Sequence, residues 1–167
     1  HTLKFPYNVL ASLEGLFYQS GDDIAAVVLE AETTTPPQPG FLESLVALCH
    51  KRGALVLLDE MITGFRWHNG GARAFHKIDA DLVTYGKALG NGFAVSALVG
   101  RRNVMELGGL RDERPRVFLL STTHGAESAA LAAACAVIRT YEQEPVVQTL
   151  WQQGGRLASG VRQLVTE

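Results

Sequence analysis

Lys87 stands in Leu82-Val83-Thr84-Tyr85-Gly86-Lys87-Ala88-Leu89-Gly90-Asn91-Gly92, after a short apolar run and between glycines. That setting predicts an amine projecting from a turn rather than from a solvated helix face. Upstream, Leu55-Val56-Leu57-Leu58 leads into Asp59-Glu60 and reads as a buried strand ending on a carboxylate. An amine and a carboxylate at the ends of two strands suit a carbonyl cofactor that needs a covalent handle and an acid beside a ring nitrogen. Singly, each residue has a plainer reading: a strand-end Asp is ordinarily a turn former, and a Lys between glycines ordinarily faces solvent. Together, in order, they favour the cofactor site.

The elements that must position these groups alternate along the chain. Residues 9–19 have apolar side chains at helical spacing, closed by Ser20-Gly21. Residues 24–29 form a short apolar strand ending at Glu30, and the prolines in 33–40 make that stretch a loop. An amphipathic helix follows over 41–51, stopped by Gly53, then a second buried strand over 54–58. Residues 64–74 read as loop, and 82–85, 94–99 and 117–120 as further strands. Continuous apolar strands between helices predict an α/β fold whose sheet is covered on both faces. In such sheets ligands gather at the carboxyl ends of strands, where Glu30, Asp59 and Lys87 fall. Beyond Gly125 only helices are expected, an alanine-rich one over 126–141 and another over 146–165, broken by Pro145. The switch places a domain boundary near residue 140, with 1–140 in one domain and 141–167 opening a second.

Composition bounds the alternatives. The chain has 167 residues, 47% hydrophobic and 19% charged, enough for one domain with a substantial core. A formal charge of −2 offers no basic field for nucleic acid. Cys49 and Cys135 lack metal-ligand spacing, which argues against a zinc site or disulfide framework and for a reducing cytosol. No apolar run approaches a membrane span. His50, His68 and His76 read as surface residues, His124 as structural, and Arg66 as an ion-pair partner. The chain opens on His1 and closes inside a helical pattern, so it reads as a piece of something longer.

Two segments carry a resemblance: Leu58-Asp59-Glu60-Met61-Ile62-Thr63-Gly64-Phe65-Arg66, and Asp79-Ala80-Asp81 running on through the Lys87 turn. In order and at this separation they resemble the signature of the class III aminotransferases, and within them the glutamate-1-semialdehyde aminomutase branch. The likeness covers essentially the whole chain. It implies a fold-type I transferase large domain, a mixed and mostly parallel sheet flanked by helices, and the start of a smaller C-terminal domain. It implies pyridoxal 5′-phosphate as cofactor, an aldehyde that condenses with lysine and carries a ring nitrogen. Lys87 would be the Schiff-base lysine and the base that moves the proton, Asp59 the partner of the ring nitrogen, and Met61 a face of the ring. Thr122 would reach the cofactor phosphate across a homodimer interface, or cap the following helix, or both. Two departures stand out: His124-Gly125-Ala126-Glu127 replaces a Ser-Gly-Asn-Pro-like stretch, and Ala31 replaces the proline that usually follows Glu30.

The family's phosphate-holding helix start and aromatic stacking residue lie upstream of His1, so the chain by itself is expected to be nearly inactive. Transaminase and aminomutase share every residue visible here, with a small amino or oxo compound as substrate. Transfer onto sugar-linked or secondary-metabolite substrates is a third option. A non-catalytic scaffold would have no need of Lys87 and Asp59. A nucleotide-binding α/β domain would place a glycine-rich loop where Glu30-Ala31-Glu32-Thr33 stands.

Overall fold

The computed structural model describes residues 2–108, 113, 125 and 127–166. Alternation along β2 (Leu55–Glu60) organises the sheet: Val56, Leu58 and Glu60 are fully buried, while Leu55, Leu57 and Asp59 face the other side. β2 pairs in parallel with β1 (Ala26–Leu29) on one flank and β3 (Leu82–Tyr85) on the other, and β4 (Ala97–Gly100) runs antiparallel to β3. The spatial order is that of the sequence. β2 runs two residues beyond the expected 54–58, so Asp59 and Glu60 belong to the strand and leave it on opposite faces.

Three helices cover the face of Val27, Val56, Leu58 and Val83: α1 (Leu10–Ser20), α2 (Phe41–Lys51) and α3 (Gly71–His76). α2 buries Phe41, Leu42, Leu45, Val46 and Cys49, one stripe at helical spacing. Glu43 lies in its first turn and His50 and Lys51 in its last, each charge complementing the nearby end of the helix dipole. α1 adds Leu13 and Phe17, whose burial is worth about 1.5–3 kcal/mol each. α3 begins within 64–74, where the sequence reads as loop, and runs on to His76; its Ala72 and Arg73 amides are satisfied by Glu60, a residue remote in sequence.

The expectation of a sheet covered on both faces is not met among the described residues. Val28 is 60% exposed and Leu98 46%, because no described helix packs on their side. Asp59 shares this open face with Thr84, its register partner on β3.

The amino-terminal end of the sheet is locked by Asp81, which is 2% exposed. Its Oδ2 accepts from the Val56 amide at 2.7 Å and from His50 Nε2 at 2.9 Å, and Arg101 lies 3.1 Å from Oδ1. The expected surface histidines are therefore engaged: His50 with Asp81, and the half-buried His76 with Glu32 at 2.7 Å.

α4 (Arg102–Met105) follows β4, and α5 (Ser128–Gln143) and α6 (Val146–Thr166) complete the described chain, divided at Pro145. A second small core joins Phe65, Leu89 and Ala134, with Tyr85 and Tyr141 against it. Trp151 of α6 donates from Nε1 to the Arg66 carbonyl at 2.9 Å and meets Trp67 edge-on, with ring centroids 4.8 Å apart. No described helix is long and apolar enough to cross a membrane. The strand expected over 117–120 and His124 lie outside the described residues.

Candidate active site

Parallel pairing of β2 and β3 puts Asp59 opposite Thr84, so the carboxylate lies one strand away from the turn that opens at Lys87. Asp59 Oδ1 accepts from the Met61 amide at 2.9 Å and from Thr84 Oγ1 at 3.1 Å. Both donors go to one oxygen. Among the described residues Oδ2 has no donor, which leaves the carboxylate oriented but able to accept a further hydrogen bond. Thr84 is a site residue that the sequence did not disclose, because cross-strand register in a parallel sheet is invisible to a linear pattern.

Lys87 opens a 3-10 turn over Lys87–Leu89 with a left-handed backbone, φ 44. Such a conformation costs a non-glycine residue about 1–2 kcal/mol and persists only where the surroundings hold it. Here the Leu89 amide donates to the Gly86 carbonyl, the Gly90 and Asn91 amides to the Lys87 carbonyl, and Leu89 is buried against Ala134 of α5. The Lys87 side chain is exposed and, among the described residues, makes no ion pair or hydrogen bond. The expectation of an amine projecting from a turn is met.

Met61 joins the two. A Cβ at Gly86 would lie 2.3 Å from Met61 Cε and 2.7 Å from Sδ, so glycine there lets the thioether lie against the backbone immediately before Lys87. Close approach of the Met61 side chain is what this glycine accommodates. Asp59, Met61 and Lys87 thus converge at the carboxyl ends of β2 and β3, whereas Thr122 lies outside the described residues. Glu30 follows β1 at the same end of the sheet. Arg66 donates to the Ile62 carbonyl in its own loop and forms no ion pair among the described residues, unlike the ion-pair role expected.

The groups fit the implied cofactor. Among the described residues, an unpaired amine stands one strand from an oriented carboxylate with an oxygen that takes no donor, and the soft Met61 side chain lies against Gly86, which has no Cβ to obstruct it.

Comparison with known proteins gives the family to which this fold and this cluster of side chains belong. The chain belongs to the class III aminotransferases, whose family model, "Aminotransferase class-III", matches residues 4–167. It is 38% identical over 170 aligned residues to the glutamate-1-semialdehyde 2,1-aminomutase of Desulfitobacterium hafniense (strain DSM 10664 / DCB-2), covering 99% of this chain and 39% of that protein. Its fold is similar to an omega-transaminase from Sphaerobacter thermophilus, with TM-score 0.86 and 26% identity over 97% of this chain and 37% of the other. It is also similar to the FumI protein of Sphingopyxis sp. MTA144 in its PLP internal aldimine form, with TM-score 0.85 and 27% identity over 96% and 39% of the two chains. The chain thus spans about two fifths of the length of these relatives. They are enzymes, and the sheet described above is a partial fold-type I large domain, mixed and mostly parallel.

Proposed function

We propose that this chain carries the reactive lysine and the ring-nitrogen acid of an enzyme that moves an amino group on a small amino or oxo compound with pyridoxal 5′-phosphate. That cofactor, when bound, supplies an aldehyde that takes up the amino group and a ring that draws off the electron pair left on the substrate carbon. Lys87 would hold the aldehyde through Nζ and, when free of it, would be the group that carries the proton at that same atom. Asp59 would hold the ring nitrogen through the oxygen that takes no donor among the described residues, an electrostatic contribution where negative charge develops. Met61 packs on the ring face. Thr122 is proposed as a phosphate contact supplied across a homodimer interface, in a cytoplasmic protein. Residues 1–140 are proposed as the cofactor-binding domain and 141–167 as the start of a smaller one.

The observation that carries this reading is the placement of the Lys87 amine, unpaired among the described residues, and the Asp59 carboxylate at the ends of adjacent parallel strands. Borohydride reduction of the cofactor-loaded complete polypeptide, followed by peptide mapping, should leave the label on Lys87. Labelling at another lysine would defeat the proposal.

Intramolecular transfer is a second reading, favoured by the likeness to glutamate-1-semialdehyde 2,1-aminomutases over nearly the whole chain. Turnover of glutamate-1-semialdehyde without an added oxo acceptor would select it; turnover only with an acceptor would select the transaminase.

A further inference from the structure

Glu60 is the largest charged side chain buried completely in the described structure, at 0% exposure, and nothing in the chemistry above uses it. Its carboxylate takes three donors: Thr63 Oγ1 at 2.9 Å, the Ala72 amide at 2.5 Å and the Arg73 amide at 2.7 Å. Its backbone carbonyl takes a fourth, the Gly64 amide at 2.9 Å. Every bond clamps either the turn that follows Glu60 or the start of α3. That turn begins with Met61, whose amide fixes Asp59 Oδ1 and whose thioether lies against Gly86. A buried carboxyl group held by three donors is rigid, since losing one of them leaves a polar atom without a partner or solvent. We propose that Glu60 is a positioning residue: by pinning the 60–64 turn from the covered face of β2, it sets the orientation of the Asp59 carboxylate on the open face.

The arrangement follows from the period of a strand. Adjacent residues point to opposite faces, so one carboxylate can be sealed in the core while its neighbour is offered to a ligand. A single mobile acid would have to be ordered at the moment of binding. Here Glu60 supplies that order in advance. Its charge also reaches β3: burial first, then Glu60, raises the Tyr85 phenol, and Tyr85 directly precedes Gly86-Lys87. The inference rests on Asp59 being the partner of the ring nitrogen.

The test is Glu60→Gln in the complete polypeptide. It keeps the shape but removes one acceptor oxygen, leaving an amide NH2 that must face the Arg73 amide at Oε1, or the Ala72 amide and the Thr63 hydroxyl at Oε2. Thr63→Val is the second variant, removing one donor while leaving the acid in place. The readouts are the dissociation constant for pyridoxal 5′-phosphate, and the visible absorbance and induced circular dichroism of the bound cofactor. Glu60→Gln should weaken binding at least tenfold and alter the dichroic band in protein that still melts cooperatively; Thr63→Val should shift both in the same direction but less. Glu60→Asp, which keeps the charge on a shorter stem, should restore part of the signal. Unchanged affinity and dichroism in Glu60→Gln would overturn the inference. If Glu60→Gln fails to fold, the same null result in Thr63→Val overturns it. An Asp59→Asn control separates the two layers: if it too leaves affinity and spectrum unaltered, the ring-nitrogen reading itself has failed.

Discussion

Replacing Gly71 with alanine isolates the packing of α3 on Glu60. Gly71 has φ +77, and a Cβ built there would stand 2.2 Å from Glu60 Oε2, 2.6 Å from Cδ and 2.7 Å from Oε1. The left-handed backbone costs alanine about 1–2 kcal/mol. Relieving the overlap requires the carboxylate or the loop to move by about 1 Å, which carries the bond from the Ala72 amide to the limit of hydrogen-bond range. Glu60 is completely buried, so no water replaces the lost donor, and a hydrogen bond to a charged group is worth about 1.5–3 kcal/mol. The two contributions together give a loss of about 2.5–5 kcal/mol. With a urea slope of about 2 kcal/mol per molar, the unfolding midpoint should fall by about 1.2–2.5 M. Gly53→Ala is the matched control: Gly53 has φ +74 but nothing within 4 Å of its built Cβ. It should lose only the backbone contribution, about 0.5–1 M in midpoint. If the two variants unfold at the same urea concentration, the contact between position 71 and Glu60 contributes nothing and the account of α3 is wrong.

Three other outcomes follow from the ionisable groups. Burial would raise the Asp81 carboxyl, but the Val56 amide, His50 and Arg101 outweigh it and hold the group below the ordinary carboxylate range. Its contribution is therefore present above the unfolded value of about 3.9 and is lost as pH falls through the lower folded one. Asp81→Asn should be less stable at neutral pH and show a shallower acid limb in urea melts; an acid limb unchanged from wild type would count against the pairing. Tyr7 is pushed up to about 12 by burial, then by Glu32 and Glu30, while its hydroxyl donates to the Ala31 carbonyl at 2.8 Å. Stability from this phenol should hold below about pH 10 and drain away toward about pH 12; Tyr7→Phe should lose about 1 kcal/mol at neutral pH and flatten that alkaline decline. Identical alkaline melts for the two proteins would refute it. Cys49 is buried with its thiol pushed up to about 11, by burial first and then by Asp81, whereas Cys135 is exposed. Alkylation of the folded protein near neutral pH should mark Cys135 and spare Cys49 in the mass spectrum, and equal labelling would mean that α2 does not pack as described.

Where local signals sufficed, the sequence was legible to the residue. Gly40 and Gly53 bracket α2, its apolar stripe has helical spacing, and the expected 41–51 is the observed Phe41–Lys51. β3 is the expected 82–85. The meeting of Lys87, Asp59 and Met61 was also legible, because strand ends of an α/β sheet lie together whatever the loops between them do. Three features were hidden. α3 reads as loop because the carboxylate that satisfies its first amides comes from β2. The continuation of β2 through Asp59-Glu60 goes against strand propensity and is stabilised by burying one acid within a hydrogen-bond cage. The open face could not be foreseen, since apolar strand residues state that they want cover but not whether the cover is within the described chain. Thr122, legible only through family resemblance, falls outside the described residues.

The hydrogen bond from Trp151 to the Arg66 carbonyl turns α6 into a lever with its fulcrum near one end. The helix has 21 residues, and Thr166 lies some fifteen residues past the indole, about 22 Å along the axis. A tilt of about 10° around that anchor would carry the far end through about 4 Å while scarcely displacing the segment that leads back to Asp59. The far end of the helix would swing in such a tilt while the bonds that aim the acid stay in place.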